Sequence, residues 1–244
     1  MAQTIDNIVD PNDSSLTSEM VQFAGPAGNV NAYVSRPKEG RNLGTVLVIH
    51  ENRGLVGHIK DVARRFAKDG FAAIAVDCMG RVGGSDKFNG SDAATEEIKK
   101  VNGTMVAEDL TAAVNYVKKQ NYVNGKFGVV GYCWGGGQSL NFATKSKDLN
   151  AAVVYYGRNP DPLDSVANIP CQVMGNYAED DPNIMPGVEP LKAAMAKAGK
   201  SIDVKVYPGA KHAFNNNTNA DRYNPDAAKD AWARTTKFFK ENLA

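Results

Sequence analysis

A sharp turn between an apolar run and a helix pattern constrains the fold of this chain more than any other stretch. Residues 127–130 form a short apolar run of the kind that a buried strand uses. The chain then turns through residues 131–135, which read G-Y-C-W-G, before apolar residues resume at helical spacing. Glycines on both sides of Cys133 permit a close approach that a Cβ atom would block. The pattern predicts a strained turn that presents Cys133 as a nucleophile, while the plainer alternative is a tight turn around a buried cysteine.

Strand and helix patterns alternate from residue 45 to the end of the 244-residue chain. Continuous apolar runs indicate strands that are covered on both faces. The predicted strands are 45–49, 71–76, 127–130, 151–155, 171–175 and 202–207. The predicted helices are 59–67, 93–119, a stretch around 140–143, 190–198 and 225–243, and the glycine-rich residues 79–92 are predicted to form a loop.

Ahead of this alternation, residues 19–24 and 30–36 predict two antiparallel strands joined by a Gly-Pro-Ala-Gly turn. We expect a polar tail at 1–18 and one α/β domain at 19–244. That domain is predicted to be a single doubly wound, mostly parallel sheet with helices on both faces. Catalytic side chains are then expected at the carboxyl ends of the strands.

Charge and composition exclude several kinds of partner. The net charge is +1, from 28 basic and 27 acidic residues, so no basic excess favours nucleic acid or an anionic membrane. No apolar run approaches the roughly 18 residues of a membrane span. The three cysteines, Cys78, Cys133 and Cys171, form no C-x-x-C pair and predict no disulfide framework. We therefore expect a small-molecule substrate, a monomer or weak homo-oligomer, and a cytoplasmic location, although a removed export signal would leave the same sequence.

Three reactive residue types follow three predicted strands. Cys133 follows 127–130, the pair Asp180 and Asp181 follows 171–175, and His212 follows 202–207. The order of nucleophile, acid and histidine is that of the α/β-hydrolase triad. An imidazole can take the thiol proton, and a carboxylate can orient the imidazole. On the residues alone, either aspartate can be the acid.

A hydrolase of this kind also needs two backbone donors for the oxyanion. One is the N–H after the nucleophile, on Trp134, and the other is expected in the loop after strand 45–49, near Glu51 or Asn52. His50 and Glu51 begin like the zinc motif H-E-x-x-H, but residue 54 is glycine, so no metal site is predicted. The glycines of the turn match neither a dinucleotide nor a phosphate loop, so no cofactor is expected.

Five segments together resemble the dienelactone hydrolase (carboxymethylenebutenolidase) family. They are VLVIHENRGL at 46–55, GYCWGGG at 131–137, YYGR at 155–158, YAEDDPNI at 177–184 and YPGAKHAFNNNT at 207–218. The resemblance runs from about Ala32 to the C-terminus. It implies the α/β-hydrolase fold and hydrolysis of small esters or lactones without a cofactor.

The resemblance also implies roles for individual residues. Cys133 matches the nucleophile, Asp181 the acid and His212 the base. Glu51 matches a glutamate that interacts with the cysteine and helps to generate the thiolate when substrate binds. The N–H of Asn52 would be the second oxyanion donor.

The substrate-binding positions depart from the family pattern. The type member holds its substrate carboxylate with two arginines, and Asn216 occupies the position of one of them. Arg81 lies in the loop where the other belongs, and Arg53 and Arg158 are candidates to replace the missing charge. Tyr156, in the YYGR segment, is a further candidate for substrate binding. Because Asn is no equivalent of a guanidinium group, dienelactone itself is not expected to be the main substrate.

Two other interpretations remain open at the level of sequence. One is a non-catalytic binding module on the same fold. The other is a redox sensor in which Cys78 or Cys171 approaches an oxidised Cys133 in space.

Overall fold

A computed structural model describes residues 7–244, and within them eight strands form one sheet in the order β1-β2-β4-β3-β5-β6-β7-β8. The β1–β2 and β2–β4 pairs are antiparallel and every other pair is parallel. The strands are β1 Leu16–Gly25, β2 Gly28–Pro37, β3 Leu43–Ile49, β4 Ala72–Val76, β5 Val123–Tyr132, β6 Leu149–Tyr155, β7 Gln172–Asp180 and β8 Ile202–Lys211. The predicted entry hairpin and mostly parallel sheet are confirmed.

Helices cover both faces of the sheet, as the alternating pattern predicts. They are α1 Gly57–Lys68, α2 Ser85–Phe88, α3 Asp92–Glu97, α4 Gly103–Val117, α5 Trp134–Ala143, α6 Val188–Lys197 and α7 Pro225–Leu243. Along β3, Leu47 and Ile49 pack in the core shared with α4, α5 and α6, while Val46 and Val48 pack in the core shared with α1 and α7. Alternate side chains of a strand point to opposite faces, so a strand buried on both sides must be apolar throughout.

The single helix predicted over 93–119 is wrong. Helix α3 is followed by a 3-10 turn at 98–100, and α4 is a separate helix that begins after Asn102. The Asn102 side chain accepts hydrogen bonds from the backbone N–H groups of Thr104 and Met105, both at 3.0 Å. An Asn side chain that binds free N–H groups favours a helix start over a helix interior, which explains the break.

The predicted loop at 79–92 is more ordered than expected, because it contains α2 and a 3-10 turn at 80–82. Buried Ser85 anchors it. The Ser85 hydroxyl donates to Asp77 at the end of β4 (2.6 Å) and accepts from the N–H of Leu55 (2.7 Å). The segment is therefore tied to the loop that follows β3.

The predicted tail divides into three parts. Residues 1–6 lie outside the described residues. The N–H groups of Ile8 and Val9 donate to the buried Asp61 carboxylate of α1, and the Arg64 guanidinium donates to the Val9 carbonyl. Strand β1 begins at Leu16, three residues before the predicted domain boundary at 19.

Two glycines determine how closely α5 approaches the sheet. A Cβ at Gly131 would collide with the carbonyl group of Gly135, and a Cβ at Gly135 would collide with the carbonyl oxygens of Ile49 and His50. Between them, Cys133 adopts φ 57° and ψ −118°, a strained conformation for a residue with a side chain. The start of α5 is thereby held against the ends of β3 and β5.

We expect Gly131→Ala to destabilise the fold by at least about 3 kcal/mol, because backbone atoms must move to admit the methyl group. Gly80→Ala is the matched control, since a Cβ there meets nothing within 4 Å. Urea unfolding of both variants measures the difference. Equal midpoints for the two variants would show that the close approach at Gly131 does not constrain the fold.

Candidate active site

Cys133 lies at the junction of β5 and α5, at the carboxyl end of the parallel strands. Its sulfur is 2.9 Å from Nε2 of His212, which follows β8. The residue is partly exposed, so a substrate can reach the sulfur. Thus Cys133 and His212, both predicted for the triad, are in contact.

The acid in contact with His212 is Asp181. Its carboxylate lies 2.5 Å from Nδ1 of His212 and is buried, whereas Asp180 is exposed. A carboxylate accepts a hydrogen bond from Nδ1–H, which keeps the proton on Nδ1 and leaves Nε2 able to take a proton from Cys133. The structure therefore brings Cys133, His212 and Asp181 together in one hydrogen-bonded array.

Burial raises the pKa of the Cys133 thiol to about 12, and the negative charges of Glu51 and Asp181 act in the same direction. The backbone N–H groups of Trp134 and Asn52 hydrogen-bond the sulfur and lower its pKa. The cysteine is therefore a neutral thiol at rest. The two amides predicted as oxyanion donors both point at the Cys133 sulfur.

The carboxyl group of Glu51 lies in the same buried region. Its Oε2 accepts a hydrogen bond of 2.7 Å from Nδ2 of Asn216, and its Oε1 is buried with no hydrogen-bond partner among residues 7–244. Burial raises the pKa of Glu51 to about 7, partly opposed by Asn216 and by the charge of Arg222. This carboxyl group can therefore change its charge near neutral pH.

Asn216 is held in one orientation. Its Oδ1 accepts hydrogen bonds from both the N–H (3.0 Å) and the hydroxyl (2.7 Å) of Thr218, so its amide nitrogen faces Glu51. The sequence indicated only that Asn216 occupies a position where the family's type member has an arginine. The structure shows that it is instead the neutral hydrogen-bond partner of Glu51.

A cavity of about 1080 Å³ opens over the triad. Among the residues predicted for substrate binding, Arg158 and Tyr156 line it. The Tyr156 ring is buried and lies 5.1 Å from the His212 ring. Arg222, which no sequence pattern indicated, also lines the cavity.

The other two arginines lie elsewhere, and their predicted role in substrate binding needs correction. The Arg81 guanidinium binds the carboxylates of Glu108 and Asp109, each at 2.8 Å, so its charge is already neutralised. Arg53 pairs with Asp92 at 2.6 Å. Neither lines the cavity. Sequence position placed Arg81 in the expected loop but did not reveal the two acidic residues on α4.

Within residues 7–244 no group of three His, Cys, Asp or Glu side chains is arranged to hold a metal ion. In the same residues no helix combines the length and apolar character that crossing a membrane requires.

Comparison with known proteins agrees with the geometry. The model of the dienelactone hydrolase family matches residues 30–243. A "Putative carboxymethylenebutenolidase" of Methylorubrum extorquens is 34% identical over 226 residues, which cover 88% of this chain and 77% of that protein. A protein of the same name from Saccharolobus solfataricus is 32% identical over 255 residues, covering 89% and 96% of the two chains.

A solved structure extends the match to three dimensions. The crystal structure of a "Putative Dienelactone Hydrolase" from Klebsiella pneumoniae superposes with a TM-score of 0.86 at 29% identity, covering 92% of this chain and 98% of that one. The family match spans most of β2, strands β3 to β8, the strand-to-helix turn and the loop that carries His212. This chain belongs to the dienelactone hydrolase family.

Proposed function

We propose that this protein hydrolyses small carboxylic esters or lactones through a thioester formed on Cys133. The observation that carries the proposal is the contact of the Cys133 sulfur with His212, which in turn contacts Asp181. Membership of a hydrolase family and relatives named as carboxymethylenebutenolidases support the same chemistry. The cavity over the sulfur suits a small-molecule substrate.

In the first half of the reaction, Nε2 of His212 takes the thiol proton as the sulfur attacks the substrate carbonyl carbon. The carbonyl oxygen becomes an oxyanion, and the N–H groups of Trp134 and Asn52 stabilise it. The intermediate then collapses, the C–O bond breaks, and the imidazolium gives its proton to the leaving oxygen. An ester releases an alcohol at this stage, whereas an opened lactone keeps its new hydroxyl on the bound acyl chain.

In the second half, His212 takes a proton from water as the water oxygen attacks the thioester carbon. The same two amides stabilise the second oxyanion. When the C–S bond breaks, the sulfur recovers a proton from the imidazolium and the carboxylic acid leaves. Asp181 keeps the imidazole in its productive tautomer throughout.

Glu51 has a part in controlling the thiol. With a pKa of about 12 for Cys133 and about 7 for Glu51, the sulfur keeps its proton in the free enzyme. An ionised Glu51 opposes formation of the thiolate by charge repulsion. We propose that substrate binding displaces or neutralises this carboxylate, so that the thiol becomes reactive only in the complex.

Arg158 and Arg222 give the cavity a basic wall. Within residues 7–244 neither guanidinium has an ion-pair partner, in contrast to Arg81 and Arg53. A planar guanidinium suits a carboxylate. We propose that substrates carry an anionic group away from the scissile bond.

The nucleophile is tested by Cys133→Ala and His212→Ala, each of which we expect to lower kcat/KM by at least about 10³-fold. The substrates are a chromogenic short-chain ester and a simple lactone, and mass spectrometry of the quenched enzyme tests for an acyl group on Cys133. Cys171→Ala, at a cysteine outside the cavity, serves as the control and keeps full activity. Undiminished turnover by Cys133→Ala would exclude the mechanism and favour a binding or redox role.

The control of the thiol is tested by Glu51→Gln, which keeps an acceptor for Asn216 but removes the charge. Above about pH 7 the wild-type carboxylate raises the pKa of Cys133, so the variant should form thiolate more readily and react faster with iodoacetamide. Below that pH both side chains are neutral and the two rates should converge. Asp180→Asn, at an exposed carboxylate of the cavity, is the matched control and should follow the wild type. A constant ratio of rates across the pH range would contradict the proposed repulsion.

The basic wall is tested by Arg222→Ala, with Arg53→Ala as a control arginine outside the cavity. For a chromogenic ester that carries a carboxylate we expect KM to rise about fivefold to tenfold in Arg222→Ala. KM should stay unchanged for the same ester with that carboxylate replaced by a neutral carboxamide. Arg53→Ala should leave both KM values close to those of the wild type. An equal rise for both substrates would mean that Arg222 does not recognise the anionic group.

A further inference from the structure

His50 is a buried histidine with two well-defined hydrogen bonds and no part in the triad. It follows β3 directly. Its Nδ1 lies 2.6 Å from the carbonyl oxygen of Glu51, and its Nε2 lies 3.1 Å from the backbone nitrogen of Cys78. A carbonyl oxygen only accepts and a peptide N–H only donates. The ring is therefore neutral with its proton on Nδ1, and burial lowers the pKa of His50 in keeping with that state.

The carbonyl that His50 binds belongs to the same peptide group as the N–H of Asn52. That peptide is trans, so its C=O and N–H point in opposite directions. The His50 ring thus donates a hydrogen bond to the C=O on one side of this peptide. The N–H on the opposite side donates to the Cys133 sulfur. A hydrogen bond to the carbonyl also polarises the peptide and strengthens its N–H as a donor.

The same ring contacts the side chain of the residue that carries the second donor. It stacks on the Trp134 side chain with ring centroids 5.6 Å apart and planes inclined by 16°. The backbone N–H of Trp134 is the other group that hydrogen-bonds the sulfur. Gly135 lets the start of α5 lie against the backbone of His50, which keeps the two donors on the same side of the site.

We propose that His50 is a positioning residue for the oxyanion hole: it orients the Asn52 amide by hydrogen bonding and the Trp134 amide by stacking. The inference rests on the proposed function, because an oxyanion hole has a role only if an acyl group is transferred. It assigns His50 a larger effect on the tetrahedral intermediate, which carries a full oxyanion, than on the resting thiol, which the same amide only hydrogen-bonds. Removing the Nδ1 donor should therefore lower kcat more than it changes KM.

Two conservative variants separate the two hydrogen bonds. In His50→Asn the amide nitrogen sits at the position of Nδ1 and can still donate to Glu51. In His50→Gln the side-chain end sits at the position of Nε2, so it can satisfy Cys78 but not Glu51. We expect kcat of His50→Gln to fall by about 10- to 100-fold and kcat of His50→Asn to stay within about threefold of the wild type.

Alkylation of Cys133 by iodoacetamide provides the readout that a merely structural role would alter. This reaction uses the thiol but forms no oxyanion, so His50→Asn should react at the wild-type rate. In His50→Gln the displaced Asn52 amide also hydrogen-bonds the sulfur less well, so alkylation should slow, but far less than kcat falls. Equal kcat values for the two variants would overturn the proposal. An alkylation rate that falls by the same factor as kcat would also overturn the proposal, because the substitution would then have altered the whole site.

A measurement on the wild-type protein keeps the inference testable if a variant fails to fold. Two-bond ¹H–¹⁵N NMR spectra of the imidazoles should show His50 as the neutral Nδ1–H tautomer from about pH 5.5 to 8.5. A titrating ring or the Nε2–H tautomer would refute the geometry. Undiminished turnover by Cys133→Ala would instead refute the proposed function, and the NMR spectra would still test the contact between His50 and Glu51.

Discussion

The contact between Gly131 and the Gly135 carbonyl is the constraint on which the site depends. No Cβ atom fits there, so helix α5 starts directly against the ends of β3 and β5. This close packing forces Cys133 to a positive φ and turns its sulfur towards the cavity. Such strain costs on the order of 1–3 kcal/mol and persists only where the surrounding structure holds it. Here the two buried cores on either side of the sheet supply that support.

The electrostatics of the site follow from the same burial. A thiol removed from water and placed near two carboxyl groups keeps its proton, so the resting enzyme holds an unreactive sulfur. The groups that favour negative charge, namely the amides of Trp134 and Asn52, are directed at the same point in space. In the proposed mechanism, a site arranged in this way stabilises charge that develops during the reaction more than charge in the free enzyme. Glu51, held by the neutral Asn216, adds a carboxyl group whose charge can change near neutral pH.

Much of the fold and the contact between Cys133 and His212 was predictable, and the errors have local causes. Continuous apolar runs identify buried strands, and the ends of parallel strands meet at one edge, so Cys133 and His212 were placed correctly after their strands. The break at Asn102 was missed because one capping side chain outweighed a long helical pattern. The role of Arg81 was misjudged because its acidic partners lie on a helix more than twenty residues away.

The sequence by itself determined the order of the strands along the chain, the position of the strained turn and the types of side chain at the strand ends. These features depend on local patterns of apolar residues and glycines. Only the tertiary structure decided that Asp181 and not Asp180 contacts His212, that Arg222 and not Arg81 lines the cavity, and that His50 lies behind the Asn52 amide. Each of these outcomes depends on how segments distant in sequence pack together, and a pattern of neighbouring residues carries no such distances.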